Sequence, residues 1–414
     1  MQTTDVIVLG AGMVGVSAAL SLQARGRAVV MIDRRGAGLE TSFGNAGLIE
    51  RSSIFPYVFP RDPARLVKYA LNLLPEAHYH LTALPGVVGP WLLRYWRESA
   101  PERVAKSIAA RRPLIEHSLS EHEALIAQAG ADALLRHTGW IKLFRSEATF
   151  RAGIADAERL AKYDLHIDIL DSADVAVREP HLAPVAGAVH YLDTASVSDP
   201  GALAKAYADL FLARGGRFIH GDASSLTQEA DGRWSVAGPE GRILARDAVV
   251  ALGPWSDQIF KPLGYVMPFG FKRGYHMHYA PGEGARLNHP VLDADNGYLL
   301  APMAKGVRLT SGAEFAPRDA PPSPVQIELC EPIARRLFPL GKALDPAPWK
   351  GARPCLPDML PVLGPAPRHK GLWFDFGHAH HGLTLGPVSG RLLAEMMTGE
   401  TPFTDPSPYR ADRF

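Results

Sequence analysis

The sequence predicts an α/β protein: a Rossmann-like domain interleaved with an α+β domain built on a mainly antiparallel sheet. Three observations predict it. Gly10-Ala11-Gly12-Met13-Val14-Gly15 stands between an apolar run, Val6–Leu9, and a helix-like stretch that continues to Arg25. Asp33 closes a second apolar run, Val29–Ile32, which completes a β-α-β dinucleotide fingerprint. Two later segments return to the same kind of sheet: Ala248–Leu252 running into Gly253-Pro254-Trp255-Ser256, and Gly371–Phe376 leading through a glycine-rich loop into a helix. Between them, residues 257–345 read as short strands with turns, flanked by proline-rich segments at 317–324 and 346–357.

Each element has a local reason. Gly10 allows the tight turn, Gly12 lets the backbone approach a pyrophosphate, and Gly15 lets the helix pack on the sheet. Met13 and Val14 open that helix, whose unpaired N–H groups and positive dipole end suit phosphates. Asp33, followed by Arg34, is placed to accept from a ribose hydroxyl, so the motif is one for NAD or FAD alike. Thr41-Ser42-Phe43-Gly44-Asn45-Ala46-Gly47 is a small-residue loop. Helical patterns dominate about 62–130, and strand-like runs follow near Trp140–Phe144 and His166–Leu170. Asp199-Pro200 is a helix start, with Leu203, Tyr207, Leu210 and Phe211 as the apolar face and Gly215-Gly216 as the stop. Strands are expected at Arg217–His220, Trp234–Val236, Ile243–Ala245, Tyr275–Tyr279, Tyr298–Ala301 and Val307–Thr310, and the last helix ends near Thr398-Gly399. The nucleotide domain is therefore assigned to 1–85, 196–256 and 346–414, and the substrate domain to 86–195 and 257–345.

Bulk properties exclude several classes. At 414 residues, 47% hydrophobic, 21% charged and formal net charge +1, the chain has no basic footprint for nucleic acid. Cys330 and Cys355 are its only cysteines, so no disulfide framework or cysteine zinc site is expected, and a reducing cytoplasm fits. Residues 6–22 lack the basic flank of a signal peptide, and no run approaches the ~20 apolar residues that span a bilayer. Leu81–Trp96, broken by Pro85, Gly86, Gly89 and Pro90, reads as a buried helical hairpin or as a patch touching a membrane surface. Buried is the default reading.

Five segments together resemble the glycine oxidase/D-amino-acid oxidase superfamily, and most closely its D-amino-acid dehydrogenase branch. They are the Gly10–Gly15 fingerprint with Asp33, Thr41–Gly47, Ala248–Ser256, Gly351-Ala352-Arg353-Pro354 with Pro357-Asp358, and the Gly377–Gly390 loop and helix start. The resemblance implies FAD rather than NAD. The second helix N-terminus supports the same choice, since it can stabilise negative charge on a reduced flavin, which a simple NAD dehydrogenase does not require. The implied cofactor contacts are Gly10, Gly12, Met13, Val14, Gly15, Asp33, Arg34, Thr41, Ser42, Asn45, Ala46, Gly47, Ala251, Leu252, Gly253, Trp255, Gly382, Leu383 and Thr384. Arg353 is expected to clamp the substrate carboxylate with two parallel charge-assisted hydrogen bonds. Tyr275 and Tyr298 either assist it or are ordinary strand tyrosines; Arg273 is a weaker candidate, and His381 is placed at the flavin edge.

Further implications follow. Phe55–Pro60, with Tyr57 and Phe59, resembles the mobile loop of dehydrogenase relatives, packing against the flavin domain being the equal alternative. His378, His380 and His381 lack carboxylate or cysteine partners at ligand spacing, so no metal is expected. Gly351 occupies the place aligned with the cysteine that holds FAD covalently in some relatives, so FAD is expected to be non-covalent. The implied reaction is hydride transfer from Cα of an amino acid, most directly a D-amino acid, to flavin N5. Electrons then pass to a quinone or respiratory carrier from a cytoplasmic enzyme, with peripheral membrane contact as an option. The alternatives are an oxygen-using amino-acid oxidase or a proline-type dehydrogenase. In a different class stand an NAD(P)-linked dehydrogenase and a nucleotide-binding module without redox chemistry.

Overall fold

The computed structural model describes residues 2–72 and 76–414. Five parallel strands lie in the order Arg217–His220, Val29–Asp33, Gln2–Leu9, Gly241–Val250 and Leu372–Phe376, with antiparallel Val362–Pro365 beyond. Val6 to Leu9 are fully buried, as expected of a parallel strand covered on both faces. The fingerprint helix Met13–Gln23 packs against the C-terminal helix Gly382–Thr398 and against Pro200–Ala213. Asp199 caps the last of these by accepting from Ala202 N at 3.0 Å, as its sequence predicts.

A second, mainly antiparallel sheet is built around the twelve-residue strand Gly270–Pro281. Trp349–Cys355 pairs along one edge of it, and Gly306–Thr310 with Ala313–Phe315 along the other. The sheet continues through Tyr298–Met303 and Val291–Asp293 to Trp140–Phe144, Gly187–Tyr191 and Ile167–Asp171.

Local differences from the sequence reading have physical causes. Ile243–Ala245 and Ala248–Leu252 merge into one strand, Gly241–Val250, because Asp247 is satisfied within it by Arg27 Nη2 (3.0 Å) and Trp373 Nε1 (3.2 Å). Ala77–Tyr79 and Trp349–Cys355, placed with the nucleotide domain by sequence, belong to the large sheet, where ladder pairing decides membership. Ala77–Tyr79 also interrupts the helical stretch expected over 62–130, of which 73–75 lie outside the described residues. Instead of a buried hairpin, 81–96 forms two short turns and the helix Gly89–Glu98. Trp91 and Tyr95 are buried there, while Leu81, Leu93 and Trp96 are exposed.

Candidate active site

The two sheets enclose one cavity of about 1550 Å³, which begins at the fingerprint and reaches Arg353. Gly10, Gly12, Met13, Val14, Asp33, Arg34, Thr41, Ser42, Asn45 and Ala46 line it, as do Ala251, Leu252, Gly253, Trp255, Gly382, Leu383 and Thr384. Gly15 and Gly47 do not. They act on the backbone around the cavity: a Cβ on either would lie within 2.4 Å of a carbonyl oxygen, Gly10 O for Gly15 and Val197 O for Gly47.

Ser42 Oγ accepts from Met13 N at 3.0 Å, which ties the small-residue loop to the helix start. Asp33 accepts from Ala11 N (2.8 Å) and Arg35 N (2.9 Å) and still borders the cavity, so its carboxylate is oriented with lone pairs to spare. The Arg34 guanidinium lies 4.4 Å over the Trp255 ring. At the starts of helices Met13–Gln23 and Gly382–Thr398 the N-cap residue's own side chain makes no cap and the first turn has no acid, although Met13 N is taken by Ser42 Oγ, and both starts open on the cavity. Their free N–H groups and positive ends are what the phosphates and the electron-rich edge of a flavin dinucleotide need. FAD therefore fits the residues present.

At the far end, Lys272 and Arg353 are register partners across two strands, followed by Gly274 opposite Gly351 on the same face. All four line the cavity, so two cations stand beside two missing side chains. The guanidinium uses that gap: a Cβ on Gly274 would lie 2.4 Å from Arg353 Nη2. Arg353 Nη1 donates to Gly312 O at 2.9 Å. Lys272 Nζ sits 4.0 Å from the Tyr95 ring centroid, with Met359 Sδ at 3.9 Å. Among the described residues neither cation forms an ion pair. Burial lowers Arg353 from its ordinary range, and burial with the Arg353 charge pushes Lys272 down to about 8. Two desolvated cations without counter-charge have the chemistry to hold an anion.

Four candidates are corrected by what their side chains touch. Tyr275 borders the cavity, but its hydroxyl donates to Glu314 Oε2 (2.8 Å) and accepts from Arg273 Nη2 (2.6 Å) and Ser323 N (3.0 Å). Arg273 is buried in an ion pair with Glu314 at 2.6 Å, away from the cavity. Tyr298 is buried outside the cavity, its hydroxyl accepting from Arg145 Nη2 at 3.2 Å. His381 turns away as well: its Nδ1 lies 3.2 Å from Arg111 Nη2 and its Nε2 3.6 Å from Glu50 Oε2.

The cavity instead receives His380, whose buried Nε2 has no hydrogen-bond partner. Burial and then the charges of His381, Arg353, Arg111 and Lys272 hold its pKa well below the ordinary histidine value. His378 also lines the cavity, with Nε2 3.3 Å from Asp375 Oδ1. Tyr57 lies edge-on to His380 at 4.5 Å, and Phe59 edge-on to Tyr95 at 5.7 Å, so the 55–60 loop borders the part of the cavity that holds His380 and Lys272. Lys272, Gly274 and Glu50 were not singled out by sequence; strand alternation puts the first two on one face without saying which face meets the cavity, and no motif marks the third. In a separate trio, His276, His278 and Asp345, two members are bonded to each other: His278 Nδ1 pairs with Asp345 at 2.7 Å and its Nε2 accepts from Arg308 Nε at 3.0 Å, while the buried Nδ1 of His276 has no hydrogen-bond partner. Arg308 in turn donates to the carbonyls of Phe43 and Asn45, which fixes the small-residue loop.

Residues 5–396 match a family model described as FAD dependent oxidoreductase. The chain is 30% identical to a D-amino-acid oxidase of Bradyrhizobium diazoefficiens, covering 99% of this chain and 98% of that protein. It is likewise 30% identical to a D-amino acid dehydrogenase of Xylella fastidiosa, covering 95% and 91%. In fold it is similar to glycine oxidase from Geobacillus kaustophilus (TM-score 0.72, 23% identity, 100% of both chains). It is also similar to L-proline dehydrogenase from P. horikoshii (TM-score 0.76, 17% identity, 100% and 98%).

Proposed function

The chain belongs to the family of FAD-dependent oxidoreductases, and from that premise we propose that it dehydrogenates an amino acid at Cα, most directly a D-amino acid. The observation that carries this is the unpaired Arg353–Lys272 couple beside Gly274 and Gly351. Bound FAD supplies the acceptor for the hydride that leaves Cα. Arg353 holds the carboxylate through parallel N–H···O bonds, and Lys272 adds a point charge at the same end. His380, neutral and with a free Nε2, is available to hydrogen-bond the substrate. Aromatic side chains of the 55–60 loop shield the reacting carbon from water. No side-chain base at Cα is required. Both cysteines are buried off the cavity, which supports non-covalent FAD.

Electrons are proposed to pass to a quinone or respiratory carrier at the cytoplasmic face of a membrane. In support, exposed Val67, Leu71, Leu81, Leu93 and Trp96 are interspersed with exposed Lys68, Arg94 and Arg97, and neighbouring residues of this segment line the cavity. Among the described residues no helix is long and apolar enough to cross a membrane. An oxygen-using oxidase is the second reading, favoured by the name of the Bradyrhizobium relative. Anaerobic bleaching of the flavin by a D- and L-amino-acid panel tests the reaction: bleaching confined to D-amino acids is expected, and none with any amino acid would sink the reading. Slow return of colour in air is expected of the dehydrogenase; rapid return identifies the oxidase.

Lys272 gives the site a pH dependence. Its ammonium is charged below about 8 and neutral above, so it assists carboxylate binding only below that pH. A simple carboxylate inhibitor lacking an amine is expected to bind more weakly as pH rises through 8, and in Lys272→Met this step disappears. An inhibition constant flat from pH 7 to 9 in the native enzyme would remove Lys272 from the clamp.

A further inference from the structure

We infer that Glu50 recognises a cationic nitrogen on the substrate's side chain, making the preferred substrate an amino acid with a basic side chain. This rests on the amino-acid reading above. Glu50 follows the short strand Leu48–Ile49 and lines the same cavity as Arg353. Its backbone N donates to Thr384 Oγ1 at 3.3 Å, which anchors it to the start of the C-terminal helix. One carboxylate oxygen, Oε2, accepts from Ser53 Oγ and lies 3.6 Å from His381 Nε2. The other, Oε1, has no hydrogen-bond partner among the described residues, and none of their lysines or arginines forms an ion pair with Glu50.

Arg111, whose charge acts on Glu50, is committed elsewhere, donating to Ser53 O (2.9 Å) and Met359 O (3.1 Å). The walls beside Glu50 are aromatic: Phe55, Tyr57, Trp140 and Tyr191 line the cavity, with the last two stacked at 5.0 Å. A carboxylate with a free oxygen among aromatic faces is a site for an organic cation whose apolar stem lies along the rings. The Tyr57 phenol feels both the Glu50 and the Arg353 charge, so anion site and cation site share one part of the cavity. Although burial opposes it, Glu50 is held ionised by His381, Ser53 and Arg111.

That ionisation decides which nitrogen it serves. A carboxylate whose pKa is held below its ordinary value, placed beside the α-amino group, would favour the ammonium form, whereas hydride transfer from Cα needs the neutral amine. A side-chain ammonium or guanidinium stays charged throughout and meets no such conflict.

The test uses ligands without an α-amino group. The FAD-loaded enzyme is titrated with 6-aminohexanoate and with hexanoate, following the flavin spectrum and heat of binding. At least tenfold tighter binding of 6-aminohexanoate is expected, and Glu50→Gln should bring the two affinities together. In turnover, the D-lysine to D-norleucine ratio of kcat/KM should collapse in the same variant. Equal binding of both ligands to the native enzyme overturns the inference while leaving the amino-acid reading intact. A preference that survives in Glu50→Gln removes Glu50 from the role. If neither carboxylate binds, the Arg353–Lys272 anion site fails first and this inference falls with it.

Discussion

Arg353→Met is expected to lower kcat/KM for the amino-acid substrate by about a thousandfold while the protein keeps its flavin. Each charge-assisted hydrogen bond contributes roughly 1.5–3 kcal/mol. Losing two amounts to about 4 kcal/mol, and about 1.4 kcal/mol corresponds to a factor of ten. Lys272, still present, prevents a larger loss by retaining one charge at the carboxylate end. Flavin content should be unaffected, because Arg353 is not among the residues assigned to the cofactor and its one hydrogen bond among the described residues goes to Gly312 O. Steady-state kinetics with flavin stoichiometry measure both. Unchanged turnover in a fully flavinated variant would end the clamp assignment.

Gly10→Ala should act at the other end and abolish cofactor retention. Gly10 has φ +107°, and a Cβ there would lie 2.4 Å from Ala251 O and 2.8 Å from Ala251 C. Neither neighbour can yield easily: Gly10 N donates to Ile32 O at 2.8 Å and Ala251 N to Leu9 O at 2.9 Å, which locks three strand ends together. Backbone strain and overpacking, each costing about 1–3 kcal/mol, should together destabilise the fold by about 4 kcal/mol. Gly26→Ala is the control, with φ +75° and nothing within 4 Å of a Cβ; it should cost about 1 kcal/mol. Thermal unfolding and flavin absorbance of the purified variants separate the two. A Gly10→Ala protein that is yellow and as stable as Gly26→Ala would contradict this account of the turn.

The nucleotide end was legible because its chemistry is done by backbone. Glycines at fixed spacing, an uncapped helix start and an acid at a strand end are local features, and sequence order specifies them. The substrate end was legible only in part. Arg353 came from a family resemblance, but its neighbours were missed by one residue each. Lys272 faces the cavity where Arg273 was expected to, and Tyr275 borders it with its hydroxyl already taken by Glu314; Leu299 lines it where Tyr298 was expected, and His380 where His381 was. In a strand, a shift of one residue exchanges the two faces, and both faces of these strands are buried, so hydrophobic alternation gave no phase. The phase is set by partners far along the chain, notably Glu314 drawing Arg273 and Tyr275 to its own side. Glu50 had no signal at all, since what distinguishes it is one carboxylate oxygen left free in three dimensions while the other is held by Ser53 and His381.

The strand Gln2–Leu9 hydrogen-bonds to Gly241–Val250, and the fingerprint helix packs on Gly382–Thr398. On the ribosome, the first strand therefore emerges long before its central neighbour exists, and its helix waits until nearly the whole chain has been made. During that interval Val6–Leu9 has only Val29–Ile32 beside it and Met13–Gln23 lacks its main helical partner, so apolar surface of this segment stays open to holdase chaperones. Cofactor capture therefore waits on two helix starts that lie far apart in the chain, at Met13 and Gly382.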